Sequence, residues 1–452
     1  MPSNTFAYRA TICLIWALAL WHSWICRGLF VDGAAFLVQI VSREGFFEFY
    51  PPRRFAMIAG QIPIMTAIVL GVTDLHLLAR ALSLGLFGLP TLLYTLALHR
   101  VRNDTVLLAG VIAVIGAVFM TTSFFIVGEY NTVYALATLI GVRLITSDRL
   151  RLGEGLVLVA LAAFSVRVYE AMLYIGPLLA AMTLWRAWRV PARPVVPLLL
   201  YLASAVLFVG ACAVAVEAVV HPFSPLIDAH LGDTLNQAKN FWQNMQFDMA
   251  FGATLLIAAW ALVRPADLAT SRPYRWTAVL LALLVLSPLL ALNDTLVRPL
   301  AKSQYVARTM GGLVVCGILA FLWLHASGLH NRLKALIVLR RPDAARRLLA
   351  FACLLPIAVL PSDFFLSRSW TAYLEATRAT VTSHTGIVAF EDTPLSRMPH
   401  ILLVENWVLQ SLSLAVRSRD GDGIIVPPRG FTEWVPFPPL EPPNMGRFYW
   451  RD

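Results

Sequence analysis

Charge is scarce in this chain. Asp, Glu, Lys and Arg make up 14% of its 452 residues against 58% hydrophobic ones, and the mean hydropathy is +0.70. A soluble domain carries about 25% charged residues, so this composition excludes a water-soluble fold and indicates an all-α polytopic integral membrane protein. Acidic residues are the scarcer sign, 26 against 36 basic ones, giving a formal charge of +10. The basic residues stand in short clusters between apolar runs and form no stripe, which argues against a nucleic-acid partner and fits membrane-protein loops. Cysteine is also sparse: Cys13, Cys26, Cys212, Cys316 and Cys353 lie in or beside apolar runs with no Cys-x-x-Cys or Cys/His spacing. Neither a disulfide framework nor a thiolate metal site is supported. Histidines 221, 230, 384 and 400 show no i, i+4 pairing, and neither a Gly-x-Ser-x-Gly elbow nor a P-loop is present. Internal repeats and low-complexity segments are lacking too.

What is present is a succession of apolar runs. A helical span takes about 20 residues, and such runs fall at roughly 10–29, 78–98, 105–127, 131–146, 154–166, 170–186, 196–219, 249–263, 276–292, 309–325 and 347–362, about eleven crossings. The first reads as an uncleaved anchor, with only Arg9 ahead of it and no small-residue cleavage site after it. Basic connectors at 99–102, 148–151, 186–193, 264–275 and 330–347 share the cytoplasmic side if the apolar stretch 55–72 is an interfacial or re-entrant segment and not a crossing. The alternative is that 55–72 crosses and another span is split or lost. With the first parity the N-terminus is cytoplasmic. The loops 30–54 and 220–248 and everything after about 363 are then external. The transmembrane module is expected over 1–362 and a small external module over 363–452, with an amphipathic stretch near 369–382, a strand at 386–390 and a Pro-rich end.

Asp32 stands just past the first span, in Gly28-Leu29-Phe30-Val31-Asp32-Gly33. A carboxylate at a membrane boundary is costly to hold unless it has a task there. Phe47-Glu48-Phe49-Tyr50-Pro51-Pro52-Arg53-Arg54 follows before the chain turns apolar again, and Gly128-Glu129-Tyr130-Asn131 occupies the next external turn. This layout over residues 10–150 resembles the GT-C glycosyltransferases, in which a first helix ends in an acid, an amphipathic external helix follows (here Ala34 to Ser42), and a second acidic motif lies in the next external loop. Phe47 to Pro52 is similar to the Phe-Glu-Lys-Pro-Pro stretch of the branch that glycosylates lipid A or proteins. The chain departs from that pattern in having Gly33 after Asp32, no such Lys, two residues between Glu48 and the prolines, and a single acid at Glu129.

The resemblance implies a membrane glycosyltransferase of a bacterial-type inner membrane, working on its external face. It would move a sugar from a polyprenyl-phosphate donor to a glycan, lipid or protein acceptor with inversion at the anomeric carbon. Asp32 would be the general base, with Glu129 and Glu48 orienting it, binding acceptor, or holding a divalent cation if one is used. The departing phosphate needs positive charge. Arg53, Arg54 and Arg308, the last at the external mouth of a span, are the candidates. Arg167 and Glu170 are charges within an apolar region and are retained as substrate-binding candidates. Each residue also has a structural reading: a helix cap for Asp32, a solvated turn for Glu129, mutual neutralisation three apart on a helix for Arg167 and Glu170, and snorkelling to lipid headgroups for the remaining arginines. The rival functions are a polysaccharide polymerase or ligase centred on Arg308 and the 220–248 loop, a lipid or solute transporter, and a non-catalytic envelope assembly protein.

Overall fold

The computed structural model describes residues 2–30, 32–122, 129–146, 151–189, 195–220, 245–290, 304–327, 334–398, 408–428, 437 and 441–451. About 81% of it is helical, in fifteen helices, and among the described residues the architecture is all-α apart from one small sheet. Among the described residues, three helices are long and apolar enough to cross a membrane: Leu75–Val101, Val195–Val214 within a longer helix, and Pro342–Ser383. Shorter apolar helices lie at Thr105–Phe119, Leu152–Ser165, Asp248–Val263 and Met310–Ala326.

Helix α1 (Asn4–Trp24) begins at Ser3, whose hydroxyl accepts the amide of Phe6. It packs antiparallel along α4 (Leu75–Val101), with Tyr8 beside His99, Trp16 donating to Thr95, and His22 against the Phe87 ring. The first apolar run thus stops being helical at Trp24. A compact turn over 25–30 follows, with Cys26 in the left-handed region at φ 52°, and leads into α2 (Asp32–Arg43). Gly28 makes this turn sterically feasible, because a Cβ there would stand 2.7 Å from the Cα of Ser83.

The stretch expected to be interfacial is helical over Arg54–Val69 (α3), with Pro63 inside it. It lies along the first half of α4, where Gly60 and Gly85 bring the two backbones together. Its Arg54 end meets the segment 167–170, while the basic end of α4 meets another part of the molecule, Arg100 binding Thr146 and Glu154. Helix α3 therefore covers only part of the depth that α4 spans.

Helix α5 (Thr105–Val114), capped by Asp104, continues through a π-helical turn at Ile115–Phe119 to Thr122. Helix α6 (Glu129–Thr146) runs alongside α4. Then follow α7 (Leu152–Ser165), α8 (Met172–Arg189), α9 (Val195–Val220), α10 (Met245–Val263), α11 (Arg272–Leu290), α12 (Gln304–Ala326) and the short α13 (Lys334–Val338). Helix α14 runs unbroken over Pro342–Ser383, 42 residues including Pro356 and Pro361. The module boundary expected at 362–363 and the amphipathic stretch expected at 369–382 both fall within it. The expected strand exists as β1 (Ile387–Ala389), paired in parallel with β2 (Ile424–Val426). Between these strands, α15 (Leu409–Ala415) rests on α2.

Candidate functional site

Apart from Arg308, the charged residues singled out in the sequence gather at one end of the helical core, from four separated segments. Asp32 is the first residue of α2 and is partly buried. The loop after α2 is locked down by aromatic packing, Phe36 lying 6.0 Å from Phe47 and 5.9 Å from Phe49 between ring centres. Buried Gln61 of α3 reinforces it, accepting the Phe47 amide at 2.9 Å and donating to the Phe47 carbonyl at 2.7 Å. This brace delivers the Pro51–Arg53 turn to the entrance of α3, with Tyr50 ahead of it. Proline at the first position suits such a turn because its missing N–H is not needed there.

Arg53 is the hub. Its Nε and Nη2 both donate to Glu170 Oε1 at 2.8 Å, and Nη1 stands 3.7 Å from Glu129 Oε2. The guanidinium lies over the rings of Tyr169 at 4.8 Å and Tyr50 at 5.4 Å. Burial opposes its charge, but the attraction of Glu170 and Glu129 outweighs burial and raises its pKa well above the ordinary arginine value. Glu129 opens α6, where the helix dipole favours a negative charge. It is nevertheless 7% exposed. Burial pushes its pKa up, and repulsion from Asp32 and Glu170 adds to this while Arg53 pulls the other way. Asp32 and Glu129 are thus neighbours that feel one another's charge. Arg54 pairs with Glu48 at 3.2 Å, a more exposed contact.

Arg167 and Glu170 do not neutralise each other along a helix. Residues 166–171 form a turn between α7 and α8, in which Glu170 engages Arg53 and the Arg167 carbonyl accepts the amide of Phe55 at 2.9 Å. Helix α3 is thereby tied to this turn. The side chain of Arg308 lies outside the described residues; its backbone belongs to the first turns of α12. The loop 220–248 is described only from residue 245 onward.

Tyr169, Tyr50 and Gln61 take part without having been singled out. Tyr169 sat in plain view beside Glu170, and an aromatic flanking an intramembrane charge was the signal for it. Among the described residues no group of three or more His, Cys, Asp or Glu is arranged to hold a metal ion. A cavity of about 1110 Å³ lies elsewhere, lined by apolar residues of α5, α10, α12 and α14 and bordered by Arg264 and Lys334. The carboxylate cluster does not open into it. The arrangement around Asp32 can accept a proton at a carboxylate and present positive charge from Arg53 and Arg54 close by. Compared with known proteins, the chain matches no family model, no curated protein and no solved structure.

Proposed function

We propose that this protein is an integral membrane glycosyltransferase of the GT-C type that takes a sugar from a polyprenyl-phosphate donor. The observation that carries the reading is the ion-paired cluster of Arg53 with Glu129 and Glu170, from the 51–53 turn, α6 and the 166–171 turn, within electrostatic reach of Asp32 at the start of α2. Four distant segments spend three carboxylates in a partly buried place, which is costly unless the charges act together.

In this reading Asp32 accepts the proton of an acceptor hydroxyl as the oxygen attacks the anomeric carbon from the face opposite the phosphate. The new C–O bond forms, the bond to the phosphate oxygen breaks, and polyprenyl phosphate leaves with the electron pair. Arg54 is the phosphate ligand best placed to respond, because its ion pair with Glu48 is partly exposed and a phosphate can displace it. Arg53, held by two carboxylates, orients Glu129 beside Asp32. The apolar helices favour placement in a membrane; some eleven crossings, an external site in a bacterial-type inner membrane and a cytoplasmic N-terminus are read from the apolar runs and basic connectors of the sequence.

The test is sugar turnover in membranes carrying Asp32→Asn at matched expression. Loss of transfer while lipid-linked sugar accumulates is the expected result, and unchanged transfer removes this mechanism.

A further inference from the structure

At the 25–30 turn that leads to Asp32, ionisable side chains are enclosed in the interior. His22 Nε2, near the end of α1, lies 3.1 Å from Asp363 Oδ2 in α14, and both side chains are almost fully enclosed. Arg27, in the turn itself, is completely buried, and the charge of Asp363 partly offsets the effect of that burial on its guanidinium. The other carboxylate oxygen of Asp363 is sealed from solvent with no hydrogen bond among the described residues. The Arg27 guanidinium lies over the Phe30 ring, 4.7 Å from its centre, and Phe30 stands two residues before Asp32.

The same turn is gripped from other sides. Trp370 Nε1 donates to the Ile25 carbonyl at 3.0 Å, the Phe30 ring meets Trp370 edge-on at 5.5 Å, and the Gly28 amide donates to Ser83 Oγ at 2.8 Å. Cys26, with φ 52°, is held in a conformation that a side chain disfavours. A strained turn fixed at this many points sets the direction in which α2 leaves it, and Asp32 is the first residue of α2.

We propose that Asp363, with His22 and Arg27, is the positioning network of the candidate site, fixing the 25–30 turn and so aiming the Asp32 carboxylate. The proposal rests on the reading of Asp32 as the base. Apolar side chains of similar volume would stabilise the same packing at least as well as buried charges. What a directional buried hydrogen bond such as that between His22 and Asp363 adds is a narrow set of permitted geometries, which is what a general base requires, since a small misplacement costs rate steeply.

The experiment uses the full chain in lipid nanodiscs, comparing wild type with Asp363→Asn, Asp363→Glu, His22→Gln and the pair Arg27→Met with Asp363→Leu, which removes both charges. Amide hydrogen exchange over 25–36 is expected to quicken at least tenfold in Asp363→Asn and in the pair, with exchange elsewhere unchanged. Transfer, with lipid-linked sugars extracted from the expression host as the probe, is expected to fall at least tenfold in turnover at unchanged donor KM. Asp363→Glu should recover part of the loss. A double variant that keeps wild-type protection and turnover overturns the proposal, as does a loss of protection spread evenly along the chain. If the double variant does not fold, His22→Gln, which keeps Arg27 and Asp363, carries the same test with a few-fold effect expected. Asp32→Asn is measured alongside. If it still transfers sugar, the glycosyltransferase reading and the role in aiming a base both fail, whereas normal behaviour of the network variants beside an inactive Asp32→Asn overturns the positioning role alone.

Discussion

Arg53 is the side chain on which the charge balance of the candidate site turns. Removing it leaves Glu129 and Glu170 without the cation that holds both, the costly way to break a buried pair. Because the Arg53 and Glu170 side chains are 20% and 31% exposed, solvent screening reduces that cost. Arg53→Ala is expected to destabilise by roughly 2–4 kcal/mol, read as a lowered unfolding midpoint in detergent. Arg53→Lys should recover little, since one ammonium cannot reproduce the fork that reaches both glutamates.

Glu129 gives a pH signature. Its pKa in the folded protein is raised above the ordinary 4.5 by burial, so the folded state holds its proton more tightly than the unfolded chain does. Its stabilising contribution is then fully present below about pH 4.5 and is lost as pH rises through the folded value. Glu129→Gln should remove this contribution, flattening the fall in unfolding midpoint between acid and neutral pH that wild type shows. A wild-type profile with the opposite slope in that window, unaltered by the substitution, would contradict the assignment.

At the scale of elements, two close approaches hold the site's framework, and both depend on glycine. A Cβ at Gly28 would collide with the backbone of Ser83, and one at Gly85 would run into the backbone carbonyl of Gly60. Gly28→Ala is expected to cost on the order of 1–3 kcal/mol and to lower activity further than stability, because it displaces the turn before Asp32. Gly85→Leu should separate α3 from α4 and raise cysteine reactivity at positions introduced along α3.

Helix positions were legible from apolar length alone: α8 at 172–189 and α9 at 195–220 fall where runs at 170–186 and 196–219 were read. The ends were less so. The first run looks continuous to Leu29, yet the helix stops at Trp24, because the turn over 25–30 is held by partners in α4 and α14 that only folding supplies. Asp363 sits one residue beyond the end assigned to the last span, where an acid reads as the start of a loop, and so the helix that continues to Ser383 was divided there. Charges in apolar surroundings could be picked out as candidates, but their pairing could not, since Glu170 finds Arg53 across 117 residues instead of Arg167 three away.

Across the whole molecule, the C-terminal residues are bound to the same end as the candidate site. The carbonyl of Tyr449 accepts the Leu75 amide at 2.9 Å, Asp74 accepts the Arg451 amide at 3.0 Å, Trp450 stacks on His76, and Arg447 pairs with Glu44. Truncation after residue 440 strips these contacts from the start of α4 and from the end of α2, and is expected to lower the unfolding midpoint and quicken hydrogen exchange at 74–80. The topology makes its own prediction. Cysteines placed at Glu48 and at Arg102 should label from opposite faces of sealed membrane vesicles, and labelling from one face would overturn the orientation given to the site.

The central claim is that Asp32 is the base of a sugar transfer, and its most direct measurement is transfer by the purified full-length chain in lipid vesicles supplied with polyprenyl-phosphate sugars from the host membrane. The account predicts product from wild type and a loss of at least a hundredfold in Asp32→Asn with the unfolding midpoint unchanged; equal product from both proteins would contradict it.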